Sequence, residues 1–443
     1  MAQVTQPTGK EYVDLFDYSS LNDDNILYAE NEYIKLGINL ALGGAITYLA
    51  EHGKPNLINS FDWGRQVQLS FYGYPKYFCP DGVEISKTWA HAGWNPISCG
   101  DCFGNRSRIL ESRSENGEIY VKCIPMQWAL NNWPGDCTFE CWYKLDGTRV
   151  HVISRLNNAR EDKNQYPACG QELPAVYTNG VWWKAVSYVG LEPYTGAAVT
   201  EMYGMEDECW PTRHFQATEH WSALVDNDNY GLGIWMPSTT NFASGCYEKR
   251  AVGGPKDSPC GYIGPHQSEI LDHDIQYTFN YTLIVGQVED IRAQANALSA
   301  AAPEELHWKF DGTRDHFWYK DITDAGVPRC GYLEFDFAAG SKLMAPPQLI
   351  PAEKTRIVLD AAIDGDVPVK VRRSKYTGVY CNNANRGMPL EDELITLEAA
   401  GRLTGDGTRR QYVLPLGVNM ASIGFEVEFG GEGHARIWGL RVE

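Results

Sequence analysis

The sequence predicts an all-β protein, with a long strand-rich N-terminal part followed by a smaller jelly-roll-like β-sandwich. Three observations carry this. Short apolar runs alternate with polar residues along most of the chain, Gly, Asp and Asn punctuate them, and one segment alone has clear helical spacing. The 443 residues also exceed one ordinary core, which points to two domains.

From Ile26 to Leu49 two alternating runs read as an opening hairpin, with Leu40 to Gly44 as its turn or bulge. Strand-sized runs follow at Gln66 to Tyr72, Ile119 to Leu130, Thr138 to Leu145, Val150 to Leu156 and Val181 to Val189. Others lie at Trp221 to Val225, Gly231 to Met236 and Tyr277 to Val285. The helix is predicted over Val288 to Ala301, where Ile291, Ala295 and Leu298 recur at helical spacing and Pro303 stops the run. The domain boundary is expected there, giving residues 1–302 and 303–443. Beyond it the runs YLEFDF, TRIVLDAAI, VPVKVRR, LITLEA, RQYVLPL, IGFEVEF and ARIWGLRV predict the second sandwich.

Composition excludes several classes. Gly 43, Tyr 25 and Trp 14 with 21% charged residues describe a compact, turn-rich, aromatic protein, not a disordered or coiled-coil chain. A formal charge of −19 argues against nucleic acid as partner, because phosphate binding needs a dense Lys/Arg face. No 18-residue apolar run suggests a membrane span. Met1-Ala2-Gln3 opens a polar segment without a signal-peptide core, so a secreted or periplasmic location is expected only if a leader has been removed.

The twelve cysteines include two close pairs, Cys99 with Cys102 and Cys137 with Cys141. On one strand Cys137 and Cys141 share a face but stand about 13 Å apart at ~3.3 Å per residue, too far for a disulfide. Buried free thiols are expected in preference to zinc ligands. No phosphate-binding glycine motif precedes a helix, so no nucleotide cofactor is expected. Structural calcium at Asp272-His273-Asp274 or Glu206-Asp207-Glu208 is the alternative to ordinary solvated loops at those places.

Arg155 to Asn179 is read as a polar loop between two strands, gathering Arg155, Arg160, Asp162, Tyr166, Gln171, Glu172 and Tyr177. Sugar recognition needs aromatic faces for the C–H side of a pyranose and planar polar groups for its hydroxyls. Trp89, His91, Trp94 and Asn95 in one loop, with Gln127, Trp128 and Trp133 in a second cluster, offer both. Hydrolysis of a glycosidic bond adds two carboxyl groups. Glu172 is the first choice, because Pro174 favours extended backbone before it and apolar neighbours could raise its pKa. Its candidate partners are Glu219, Asp101 and Asp162. Strict alternation puts Glu219 with Trp221 on one face and His220 on the other. The tract Ala251 to Pro259 has loop composition and could wall the pocket.

The opening Tyr33 to Ile38, then Gly43-Gly44-Ala45-Ile46-Thr47-Tyr48-Leu49, then Asp62-Trp63-Gly64-Arg65-Gln66-Val67-Gln68-Leu69, resembles the start of the galactose-mutarotase-like supersandwich. The likeness covers the first 300 residues by pattern and these short motifs by identity. It implies an N-terminal supersandwich of two large antiparallel sheets, and sugar chemistry. The His and Glu pattern of the aldose epimerases does not map cleanly, so mutarotase activity itself is not implied. The C-terminal segment resembles, by pattern, the carbohydrate-binding sandwiches appended to glycan-degrading enzymes.

Together these readings predict a carbohydrate-active enzyme on an oligo- or polysaccharide, foremost a glycoside hydrolase using Glu172 with Glu219 or Asp101. The alternative is a polysaccharide lyase, with Tyr166, Tyr177, His91 or His220 as base and Arg155, Arg160 or Asn95 neutralising a uronate. A noncatalytic glycan-binding protein is the third reading.

Overall fold

The computed structural model describes residues 25–202, 213–302, 306–378, 396–417 and 419–443. The acidic run Glu206 to Glu208 lies outside them. Two large, largely antiparallel sheets face each other. Along the first, neighbouring strands are Ile26–Glu30, Ile34–Asn39, Ala45–Glu51, Val67–Ser70, Cys169–Asn179, Cys260–Glu269, Asn241–Tyr247 and Arg213–Gln216. Along the second they are Thr200–Met202, Lys184–Ser187, Trp221–Val225, Tyr230–Trp235, Gln276–Gln287, Arg149–Asn158, Cys137–Asp146, Glu118–Ile124 and Arg108–Glu115.

Alternation explains the core between them. Ile34, Leu36 and Ile38 from the first sheet and Phe139, Val150, Val152 and Leu283 from the second all lose their surface in one cluster, at ~25 cal/mol per Å2 of apolar area. Cys137 and Cys141 point into that cluster from one strand, and Cys99 and Cys102 are buried thiols as well. The expected helix forms over Val288–Ala301. It lays Val288, Ile291 and Ala295 on Trp221, Trp235 and Ile284, covering the outer face of the second sheet. Gly233 permits this approach, because a Cβ there would meet Ile291 Cγ2 at 2.3 Å.

The expected polar loop from Arg155 to Asn179 is mostly strand. Arg149–Asn158 contains Arg155, and Cys169–Asn179, eleven residues long, contains Gln171, Glu172 and Tyr177. The alternation there is hidden by a bulge. Glu172 pairs with His266 and Val176 with Ile263, so this strand spends one residue more than its neighbour. The opening run is also three strands, because Asn31 accepts from the amides of Tyr33 and Ile34 and turns the chain early.

A third sheet follows the helix, with neighbours His307–Lys309, Gly433–Val442, Arg356–Ser374, Glu426–Phe429, Lys342–Met344 and Trp318–Lys320. Leu333–Phe337 pairs with Gly433–Val442, and Thr396–Pro415 with Arg356–Ser374. The sheet curls around its own core of Phe310, Phe317, Phe335, Phe429 and Ile437. Two expected turns are absent from it. TRIVLDAAI and VPVKVRR join into the single strand Arg356–Ser374, since Asp364-Gly365-Asp366 lies opposite Thr404-Gly405-Asp406 and becomes an irregularity within the pair.

Buried ion pairs tie this sheet to the first two. Arg314 reaches Asp324 at 2.6 and 2.8 Å and Asp272 at 2.6 Å, and His316 Nδ1 stands 2.7 Å from Glu269 Oε1. Asp274 pairs with Arg329. Asp272 and Asp274 are thus each paired with an arginine.

Candidate functional site

The first sheet turns Leu173 and Val176 into the core and Glu172, Ala175 and Tyr177 outward. A regular strand could not put positions 172 and 177 on one face, since they differ by an odd number; the bulge supplies the missing residue. On the neighbouring strand Tyr262 and His266, four apart, share that outer face. Tyr72 follows the strand Val67–Ser70 on the other side. Three separate segments thus converge on one carboxylate.

The geometry is tight. Tyr262 Oη donates to Glu172 Oε1 at 2.6 Å, and Tyr72 Oη donates to Glu172 Oε2 at 2.9 Å. His266 Nε2 stands 3.0 Å from Tyr262 Oη. Because the Tyr262 proton is committed to Glu172, His266 in its Nε2–H tautomer completes a chain of donors from imidazole to phenol to carboxylate. Gly264 leaves room for that phenol, as a Cβ there would lie 2.9 Å from Tyr262 Oη. His214, on the edge strand Arg213–Gln216, sets its ring against His266 at 4.9 Å, and Tyr177 packs on Tyr262 at 5.0 Å.

Electrostatics assigns the protons. Burial holds His266 down to about 4, so its imidazole is neutral at neutral pH. Burial and the charge of Glu172 push the phenols of Tyr72, Tyr177 and Tyr262 well above their usual range. They rest as donors, not as phenolate bases. Arg65 lies beside the cluster, with its guanidinium stacked on Phe61 and Tyr247 at 5.0 and 4.9 Å. It pairs with Asp62 at 3.2 Å and donates to the Ser258 carbonyl. Burial raises the Asp62 carboxyl, against the pull of Arg65. The tract 251–259 does stand at this end, its backbone holding Asn59, Ser60 and Arg65.

Of the residues singled out in the sequence, Glu172 and Tyr177 belong to this cluster, Gln171 holds the Tyr72 backbone at both its amide and its carbonyl, and Tyr166 stacks on Tyr74 at 6.3 Å. The others go elsewhere. Glu219 has no exposed surface, and Arg292 grips it at 2.8 and 2.7 Å while Trp221 Nε1 and the Tyr194 amide donate to it. Burial raises its pKa, but those donors outweigh burial and hold it low. It is the anchor for the helix, on the far side of the second sheet. Asp101 is also fully buried; it accepts from the amides of Phe103, Asn105 and Asn132 and from Asn105 Nδ2, which organises a loop. A carboxylate without surface, its oxygens all engaged, reaches no substrate. The structure therefore does not bring Glu219 or Asp101 to Glu172 as partners.

The expected sugar platforms divide likewise. Trp94 is core, 1% exposed, with Nε1 donating to Asp136, and Arg160 stacks between it and Tyr166 as a buried strut. Asp162, exposed, pairs with Arg160. Asn95 is buried on Ser70 and Phe71. His220 is buried against the Thr239 carbonyl, and the residue adopts a left-handed conformation that breaks the alternation assumed there. Arg155 lies on the second sheet with Glu140 and Trp142. Trp89 stacks on exposed His91 and packs on Trp128, while Trp133 remains 38% exposed beyond them.

Sequence reasoning missed Tyr72, Arg65, Asp62, His214, Tyr262 and His266. One signal was available, the spacing of Tyr262, Gly264 and His266 along a strand.

No family model matches the chain, and no curated protein matches it. Solved structures do. A galactose mutarotase-like protein from Lactobacillus casei aligns over 59% of this chain and 100% of its own, with 10% identity and a TM-score of 0.38. A galactose mutarotase-like protein from Clostridium acetobutylicum aligns over 59% and 95%, with 9% identity and a TM-score of 0.35. The 4-alpha-glucanotransferase from Thermococcus litoralis aligns over 60% of this chain and 38% of its own, with 11% identity and a TM-score of 0.33. Two of the three carry the mutarotase-like description given above for the opening motifs, and at such scores the likeness assigns no chemistry.

Proposed function

We propose that this protein is a carbohydrate-active enzyme that transfers a proton at the outer face of its first sheet, with Glu172 as the proton acceptor. The observation that carries the reading is the donor arrangement on that one carboxylate. A phenol that takes a proton from substrate can hand its own to Glu172, so a tyrosine with a high resting pKa serves as base without ever standing free as phenolate. Tyr72, half-buried and 2.9 Å from Glu172, is placed for this, whereas Tyr262 and His266 hold the acceptor. Tyr177 and Tyr247 supply rings, and His214 and Arg65 supply polar groups, for a sugar on the same face.

The finer reading is β-elimination from a uronate-containing glycan: Tyr72 relays the proton beside the carboxylate to Glu172, and Arg65 neutralises that carboxylate. The freed electron pair forms the C=C bond as the C–O bond to the departing sugar breaks, and that oxygen takes a proton from water. Hydrolysis is the second reading. Its second carboxyl would be Asp62, which lies beside Arg65 at this end of the sheet and whose carboxyl burial raises. Residues 1–302 would carry the reaction and 303–443 an accessory unit.

Incubation with a panel of neutral and uronate-containing glycans tests this. Reducing ends with the absorbance of an unsaturated uronate support elimination, and reducing ends without it support hydrolysis by Glu172 and Asp62. Glu172→Gln should lower either turnover by at least ~100-fold without unfolding the protein. Turnover near wild type in that variant refutes the assignment.

A further inference from the structure

Gln171, the neighbour of Glu172 in the strand Cys169–Asn179, is fully buried and directs its amide at the backbone around Tyr72. Its Oε1 accepts from the Tyr72 amide at 2.8 Å, and its Nε2 donates to the Tyr72 carbonyl at 2.7 Å and to the Cys169 carbonyl at 3.0 Å. Only one orientation of the side chain fits, since the reverse would set its oxygen against two carbonyl oxygens. A glutamine so placed takes the part of a neighbouring strand. The ladder between Val67–Ser70 and Cys169–Asn179 ends with Ser70 opposite Glu172, and in unbroken register Tyr72 would face Gly170. The Gln171 side chain stands in for that backbone.

The far edge of the segment carrying Tyr72 is fixed as well. The amides of Phe71 and Gly73 donate to the carbonyls of Pro96 and Trp94 at 3.1 and 2.9 Å, and Asn95 Nδ2 donates to the Phe71 carbonyl at 2.8 Å. Tyr72 then reaches Glu172 Oε2 with its phenol at 2.9 Å. Its two ends rest on consecutive residues, the backbone on Gln171 and the hydroxyl on Glu172. Adjacent Cα atoms keep a spacing of ~3.8 Å, so one dipeptide sets the distance from phenol to proton acceptor. Proton transfer needs a hydrogen-bond distance of about 2.6–3.2 Å, and a misplacement of ~1 Å can cost ~100-fold in rate.

We propose, on the reading of Tyr72 and Glu172 as a proton relay, that Gln171 is a positioning residue for the reaction. It holds Tyr72 where the hydroxyl meets Glu172, and burial keeps it from touching substrate itself. Its effect therefore falls on the catalysed step and not on binding.

The test is a double-mutant cycle on the full chain, with polygalacturonate and alginate followed by the absorbance of an unsaturated uronate and soluble xylan followed by reducing ends. Gln171→Met removes all three bonds at nearly constant side-chain length. On the glycan that the wild type cleaves, its kcat should fall ~10- to 100-fold with KM within about twofold of wild type. The Gln171→Met/Tyr72→Phe double variant should be no slower than Tyr72→Phe alone, because a missing hydroxyl needs no placing. Rates are expressed per folded molecule, with urea titrations of the same proteins giving the folded fraction, so lost stability alone does not register. If Gln171→Met does not fold, Gln171→Asn, whose amide falls one methylene short of Tyr72, should show the same pattern. Wild-type kcat in the Gln171 variant overturns the proposal and leaves the reading of Tyr72 intact. Losses that multiply in the double variant overturn it too, since Gln171 would then act other than through the Tyr72 hydroxyl. Wild-type kcat in Tyr72→Phe, or cleavage of none of the three glycans, overturns the proton relay and the role of Gln171 together.

Discussion

Tyr72 and Tyr262 each give one hydroxyl to Glu172, and replacing each by Phe should have opposite consequences. Tyr262 is 1% exposed and its oxygen serves both Glu172 and His266. Its loss leaves a carboxylate oxygen and an imidazole N–H without a partner where water has little access. A hydrogen bond to a charged group is worth about 1.5–3 kcal/mol, so Tyr262→Phe should cost about 2–3 kcal/mol of stability. With a urea slope of roughly 2–3 kcal/mol per M, the unfolding midpoint falls by about 1 M. Tyr72 is half-buried, and water can replace its hydroxyl on Glu172 Oε2. Its stability cost should stay near or below ~1 kcal/mol, while turnover falls ~100-fold or more because the proton-transfer group itself is gone. Urea titration and initial rates on the same two proteins decide the matter. If Tyr72→Phe keeps wild-type turnover, Tyr72 is not the base; if Tyr262→Phe is as stable as wild type, the donor chain is not what holds Glu172.

Three further outcomes follow from the buried charges. His266 sits near pKa 4 in the folded chain against 6.5 for an ordinary histidine, so the unfolded chain binds its proton first. Stability from this group is present above pH 6.5 and lost as pH falls toward 4, by at most about 3 kcal/mol at 1.36 kcal/mol per unit; His266→Asn should flatten that part of the urea midpoint against pH profile. Glu219→Gln leaves Arg292 uncompensated and should cost about 3–5 kcal/mol of stability with little change in KM. Lost turnover at unchanged stability would instead make Glu219 a catalytic partner. Arg314→Met strands Asp272 and Asp324 where the third sheet meets the others, and its melting temperature should drop well below wild type; an unchanged melt would show that this ion-pair cluster does not hold the sheets together.

The all-β class and the helix from Val288 to Ala301 were legible in the sequence, because both are local: period two or 3.6 is written in neighbouring residues. The shared burial of Cys137 and Cys141 was legible for the same reason. Glu172 was singled out by its neighbours in sequence, yet its partners Tyr72 and Tyr262 stand 100 and 90 residues away. Glu219 looked equally promising, and only Arg292, 73 residues later, makes it structural. Sequence alone determined the all-β class, the helix and the candidacy of Glu172. Tertiary structure decided strand order, and it decided where one extra residue between Glu172 and Val176 turns Glu172 and Tyr177 to the same face. Alternation says that sides change at every residue; which strand lies next door, and where a bulge shifts the count, is settled by the packing of the whole sheet.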